Sequence, residues 1–178
     1  YDPYAAYGDK ALKGAFRSIG VNRTDFLSVI QMRPDKEKDS NILQWIAFAS
    51  NAFNVLVPFY AAVSKTPDYF ANTTKEVTTD NFYWVCRMIG AMADASYKSS
   101  VFHIERYQER VMSKGHELID HYDALLEKEA DCEKRMALRE EANEKIAEMV
   151  KKEATSTLDK VLYELSGQMK NSYSRSDA

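Results

Sequence analysis

The sequence predicts an α+β fold of about three β-strands followed by three or four long α-helices. Three observations lead there. Short runs of branched and aromatic residues, separated by turn residues, occupy the chain up to about residue 63. From about residue 79 onward, apolar residues recur at helical spacing with few breaks. The two patterns do not alternate, which argues against a parallel α/β sheet with crossover helices.

The elements follow in order. Residues 1–20 are rich in Tyr, Gly and Lys and lack sustained periodicity, so they read as loop with at most a short helical turn. The first strand run holds Phe26, Leu27, Val29, Ile30 and Met32 and stops at Arg33-Pro34. A charged turn over 35–40 leads to the second run, Ile42 to Ala49. The third run passes through Phe53, Val55, Leu56, Val57, Phe59, Tyr60 and Val63, and Pro58 within it implies an edge, a bulge or a strand end. The 42–48 segment is apolar on both alternating sets: Ile42, Ile46 and Phe48 on one, Leu43, Trp45 and Ala47 on the other. Such a strand expects cover on both faces.

Residues 64–79 read as loop. Thr79 or Asp80 then caps a helix with Phe82, Val85, Cys86, Ile89 and Ala93 on one face, widened by Trp84, Met88 and Met92 into a deeply buried stripe. A second helix carries Ile104, Tyr107, Val111, Leu118, Ile119, Tyr122, Leu125 and Leu126, with Gly115 weakening it without ending it. Residues 127–153 are dominated by Glu, Lys, Arg and Ala and read as a solvated helix. Its narrow contact line is Met136, Leu138, Ala142, Ile146, Met149 and Val150. A last apolar helix runs through Leu158, Val161, Leu162, Leu165 and Met169. The expected organisation is residues 1–78 as loop and strands, and 79–178 as a helical layer with an extension.

Bulk properties narrow the function. At 178 residues, 45% of them hydrophobic and 29% charged, the chain can bury a core and is not of disordered composition. A formal charge of −3 without a basic stripe gives no footprint for nucleic acid. No apolar run approaches the ~18 residues of a membrane span. The two cysteines, Cys86 and Cys132, sit in helical surroundings and fit a reducing, cytoplasmic setting better than a disulfide framework. The chain opens Tyr1-Asp2-Pro3-Tyr4, neither a start methionine nor a signal peptide, so residues upstream are expected.

The motifs for common chemistries are missing from the sequence. No glycine-rich phosphate loop, paired-cysteine zinc pattern or His-Glu-x-x-His helix occurs, and no cofactor is implied. His116 and His121 are five apart, which does not stack them on one helical face, and no metal site is predicted. Cys86 lies on an apolar helical face, where a thiol stays protonated and inert, and Cys132 has no base placed for it.

Three stretches in fixed order carry a resemblance. The first is Val21-Asn22-Arg23-Thr24 with Ile30-Gln31-Met32-Arg33. The second is Gln44-Trp45-Ile46-Ala47-Phe48, then Asn51-Ala52-Phe53-Asn54 and Val57-Pro58-Phe59-Tyr60. The third is Val77-Thr78-Thr79-Asp80-Asn81-Phe82-Tyr83-Trp84, then Arg87 and Ala91-Met92-Ala93-Asp94-Ala95. Over residues 1–125 this order resembles the C-terminal part of the bacterial dipeptidase A family, relatives of the secernins.

The resemblance implies an N-terminal-nucleophile hydrolase with a four-layer αββα core. In that family a cysteine near the start of the precursor becomes residue one. Its thiol attacks the peptide carbonyl, and its own α-amine, with an unperturbed pKa of about 7.7–8, takes the proton. The nucleophile is therefore expected outside this chain, which alone would be inactive. Among site residues, the resemblance suggests Arg23 as an assisting catalytic residue, with Arg17 as second choice, holding the developing oxyanion or a substrate carboxylate. Asn22, Asn51 and Asn54 are candidate substrate contacts; turn capping is the competing role of the last two. Expected partners are dipeptides, the missing N-terminal portion and, through uncovered strands, a second copy. A non-catalytic helical interaction module, supported by the charged helices, is the alternative.

Overall fold

The computed structural model of the chain describes residues 10–12, 24–71 and 73–170. Three strands form one antiparallel meander in the order β1-β2-β3, with β1 Phe26–Met32, β2 Ile42–Phe48 and β3 Val57–Tyr60. Register runs from Phe26 opposite Phe48 to Met32 opposite Ile42, and from Leu43 opposite Tyr60 to Ile46 opposite Val57. The first hairpin closes at the predicted stop, where the Arg33 amide donates to the Asn41 carbonyl at 2.7 Å. β3 is shorter than the apolar run around it: Phe53 to Leu56 form turn and irregular backbone.

Pro58 sits on the edge strand. The neighbouring residue of the same parity, Tyr60, turns its backbone away from β2 towards Asn143, whose Oδ1 accepts from the Tyr60 N–H at 2.9 Å and whose Nδ2 donates to the Tyr60 carbonyl at 3.1 Å. One buried amide thus substitutes for a fourth strand at this edge, and the N–H that Pro58 lacks would have fallen on the same outer side.

Four helices follow: α1 Asp68–Ala71, α2 Phe82–Ala95, α3 Tyr97–Leu126 and α4 Cys132–Ser166. Short α1 lies within the segment expected to be loop. The cap of α2 is Asn81, one residue beyond the expected Thr79 or Asp80, its side chain accepting from the Trp84 N–H. Only Ser96 separates α2 from α3. Gly115 lies within α3, where a Cβ would sit 3.1 Å from the Pro58 ring; its smallness lets the helix approach β3.

The charged stretch and the last apolar helix are one element, α4, capped by Asp131. Its contact face also differs from the expected apolar line: Met136 is exposed, while Arg135, Arg139, Asn143 and Glu153 are buried. Pairing makes this possible. Arg135 grips Asp39 with Nε at 2.8 Å and Nη2 at 2.6 Å, and Arg139 adds Nη1 at 2.5 Å. The Arg135 guanidinium beside Asp39 draws its carboxyl down to about 2 against the cost of burial, with Arg139 assisting. Arg135 also donates to the Leu126 and Glu129 carbonyls, closing the end of α3. Glu153 accepts from Arg110 at 2.7 Å and Lys114 at 2.6 Å; burial raises its pKa, but these two partners outweigh that and leave it lowered.

The core lies between the sheet and the helices, around Leu43, Val57, Tyr60, Phe82, Ile89, Tyr107, Val111, Ile146 and Val150. Leu43, Trp45 and Ala47 are buried on one face of β2, and the Trp45 ring lies 5.1 Å from that of His116 on α3. The opposite face is covered only in part. Phe59 and Phe48 meet Phe70 and Phe82, but Phe26 is 54%, Ile30 58% and Met32 79% exposed. Among the described residues, β2 has one buried face and one half-buried face, β1 is largely exposed on both, and no helix is long and apolar enough to cross a membrane.

Candidate functional site

Where β1 begins and β2 ends, the chain leaves an open groove of about 1020 Å³ between the β2–β3 connection and the outer face of α2. The β2–β3 connection is shaped by Ala49, which has a positive φ of 63°, a left-handed conformation that costs a non-glycine residue. Two bonds hold it: the Ala49 N–H donates to the Asp25 carbonyl at 2.9 Å, and Asn54 Nδ2 donates to the Ala49 carbonyl at 2.9 Å. Gln108 Nε2 then donates to the Asn54 carbonyl at 2.9 Å, fastening the turn to α3.

The helical wall comes from one stripe of α2. Trp84, Arg87, Met88, Ala91 and Asp94 line the groove, with Phe53 and Tyr97 packed edge to face at a centroid distance of 6.2 Å. The residues expected to widen a buried stripe, Trp84 and Met88, are half-buried here because they form this wall. Arg87 Nη1 donates to Asp25 Oδ1 at 2.5 Å, and its guanidinium lies 5.9 Å from the Tyr83 ring centre.

Arg17, Asn22 and Arg23 lie outside the described residues; Arg23 precedes the groove residue Asp25 by two positions in sequence. Asn54 is buried, with its amide committed to the turn at Ala49. Asn51 sits between the groove residues Ser50 and Ala52, and its Oδ1 is enclosed without a hydrogen-bond partner among the described residues. Cys86 lies in the core, where burial pushes its thiol pKa up strongly, so the reactive thiolate is disfavoured. Cys132 is exposed at the start of α4. No group of three or more potential metal ligands occurs among the described residues.

A second hollow, of about 330 Å³, opens at the other end of the sheet, but its charges are spent on one another. Arg33 holds Asp123 at 2.6 and 3.2 Å, Tyr60 Oη donates to Asp123 at 2.7 Å, and Lys36 bonds Glu127 at 2.9 Å. Burial, reinforced by the Asp123 contact, raises the Tyr60 phenol pKa beyond its usual range. Neither this cluster nor the Arg87–Asp25 pair was found from sequence, because the partners are 90 and 62 residues apart.

The family model for peptidase family C69 matches residues 1–110. A probable dipeptidase A of Streptococcus pyogenes serotype M18 (strain MGAS8232) is 40% identical over 177 residues, 99% of this chain and 36% of the relative. A dipeptidase of Bifidobacterium longum (strain NCC 2705) is 35% identical over 214 residues, covering 99% of this chain and 40% of the relative. A probable dipeptidase B of Lactococcus lactis subsp. lactis (strain IL1403) is 31% identical over 170 residues, 96% of this chain and 35% of the relative. The chain spans between about a third and two fifths of the length of these curated relatives.

Proposed function

The chain belongs to peptidase family C69, and from that premise we propose that it is the C-terminal portion of a cysteine-type dipeptidase. The observation that carries this reading is the similarity to dipeptidases over 99% of the chain. In the proposed enzyme an N-terminal cysteine upstream of Tyr1 attacks the peptide carbonyl while its own α-amine takes the thiol proton. The amine product leaves, and water hydrolyses the acyl-enzyme to release the second amino acid and regenerate the thiol. Arg23 assists by stabilising the oxyanion or thiolate.

The groove supports a binding role for this portion. One lining residue, Asp25, follows Arg23 by two positions, and the walls combine apolar rings with charged groups of both signs, as an unblocked dipeptide requires. The bare sheet face at Phe26, Ile30 and Met32 supports the second half of the reading, in which a sheet from the upstream portion covers it.

Hydrolysis of a panel of unblocked dipeptides, followed as free amino acids, tests the proposal. The full-length protein is expected to turn them over, and residues 1–178 alone are expected to give no turnover above buffer. Failure of the full-length protein on the whole panel, or turnover by the isolated chain, would count against it.

A further inference from the structure

We infer that Arg87 and Asp94 are the pair that reads the two charged ends of the substrate, Arg87 taking the α-carboxylate and Asp94 the α-ammonium. The inference rests on the dipeptidase reading above and concerns how the site selects among peptides. Both residues stand on the groove stripe of α2, two helical turns apart. Seven residues of helix rise by about 10 Å. An extended dipeptide spans about 7 Å from its amine to its carboxylate, which leaves room for hydrogen bonds at the ends.

The interval between the charges is left open. On α2 it is lined by Gly90, which is buried where a Cβ would already touch Phe53 at 3.8 Å, and by Ala91, which is exposed to the groove and has only a methyl to fill it. Trp84 and Met88 flank the Arg87 end, and Phe53 and Tyr97 flank the Asp94 end. They offer apolar cover to side chains without demanding one shape. Charge complementarity selects the occupant. Asp25 is the only hydrogen-bond partner of Arg87 among the described residues and engages one Nη, orienting the guanidinium while its other donors stay available. Asp94 is exposed and has no ion-pair partner among the described residues. A cation with spare donors and a carboxylate without an ion-pair partner among the described residues, on positions about 10 Å apart along one helix, match a small zwitterion better than they match an anion or an uncharged ligand.

Steady-state kinetics of the full-length enzyme on an apolar dipeptide, its C-terminal amide and its N-acetyl derivative test this. The wild type should prefer the unblocked dipeptide to both derivatives. Arg87→Ala should raise KM for the unblocked dipeptide about tenfold or more, leave the amide unaffected, and be partly rescued by Arg87→Lys. Asp94→Asn should do the same towards the free amine and spare the N-acetyl substrate. Thermal unfolding should be unchanged, since the Arg87 side chain is 46% exposed. Equal losses on unblocked and blocked substrates, or no loss on either, would overturn the assignment while leaving the dipeptidase reading intact. A wild type inactive on every unblocked dipeptide would remove that reading itself.

Discussion

Asp123→Ala is expected to destabilise the protein by about 3–5 kcal/mol, the usual cost of removing one member of a buried ion pair. The Asp123 side chain is 8% exposed and its carboxylate joins three elements. Arg33, at the end of β1, reaches it with both Nη atoms; Tyr60 of β3 donates to its Oδ1; and α3 supplies it. Its removal leaves the Arg33 guanidinium with the Ser40 carbonyl as its one remaining hydrogen-bond partner among the described residues, its Nε being already enclosed and unpartnered there. The Tyr60 hydroxyl keeps one acceptor, the Ile119 carbonyl at 3.1 Å, so most of the loss falls on the arginine. The double variant Arg33→Met with Asp123→Leu should regain much of the loss, because the buried charge then disappears with its partner. Urea unfolding of the single and double variants measures both effects. An Asp123→Ala variant within about 0.5 kcal/mol of wild type, the range of an ordinary surface substitution, would mean the cluster is solvated in solution.

Arg23→Ala in the full-length enzyme is expected to cut kcat/KM on dipeptides by about 10²-fold or more. The proposed role is a charge-assisted contact to charge developing in a partly dry site, and loss of one such donor costs about 2.7–4 kcal/mol. The fall should appear chiefly in kcat if the contact forms in the transition state, and in KM if it clamps the substrate carboxylate. The second outcome would bring Arg23 into competition with Arg87, and the amide substrate separates the two roles. Near wild-type kinetics for a well-folded Arg23→Ala variant, with a collapse for Arg17→Ala, would move the role to Arg17.

Local pattern made the sheet legible. The run ending at Arg33-Pro34 gave β1, the run from Ile42 to Ala49 gave β2, and Pro58, expected at an edge, a bulge or a strand end, sits on the edge strand. Composition misled in α4, where abundant Glu, Lys and Arg read as a solvated face and as support for an adaptor. Arg135 and Arg139 are instead buried because Asp39, 96 and 100 residues away, neutralises them. Single-sequence periodicity carries no information about such a partner. The groove was half legible for the same reason. Asn51, Asn54 and Arg87 all stood in recognised stretches, but only the fold shows that Asn54 is tied to the turn while Arg87 meets Asp25 beside open space.

In the proposed enzyme these residues provide scaffold and substrate binding while the reacting thiol lies elsewhere in the polypeptide. Alkylating the full-length enzyme with iodoacetamide, with and without a slowly hydrolysed dipeptide, and mapping the label by peptide mass tests this most directly. Activity should fall in step with modification of one cysteine upstream of Tyr1, and substrate should protect that cysteine. Cys86 should stay unlabelled in the folded protein, buried as it is with its pKa raised, and any label on exposed Cys132 should leave activity unchanged. Inactivation that tracks substrate-protected labelling of Cys86 or Cys132 would contradict the account.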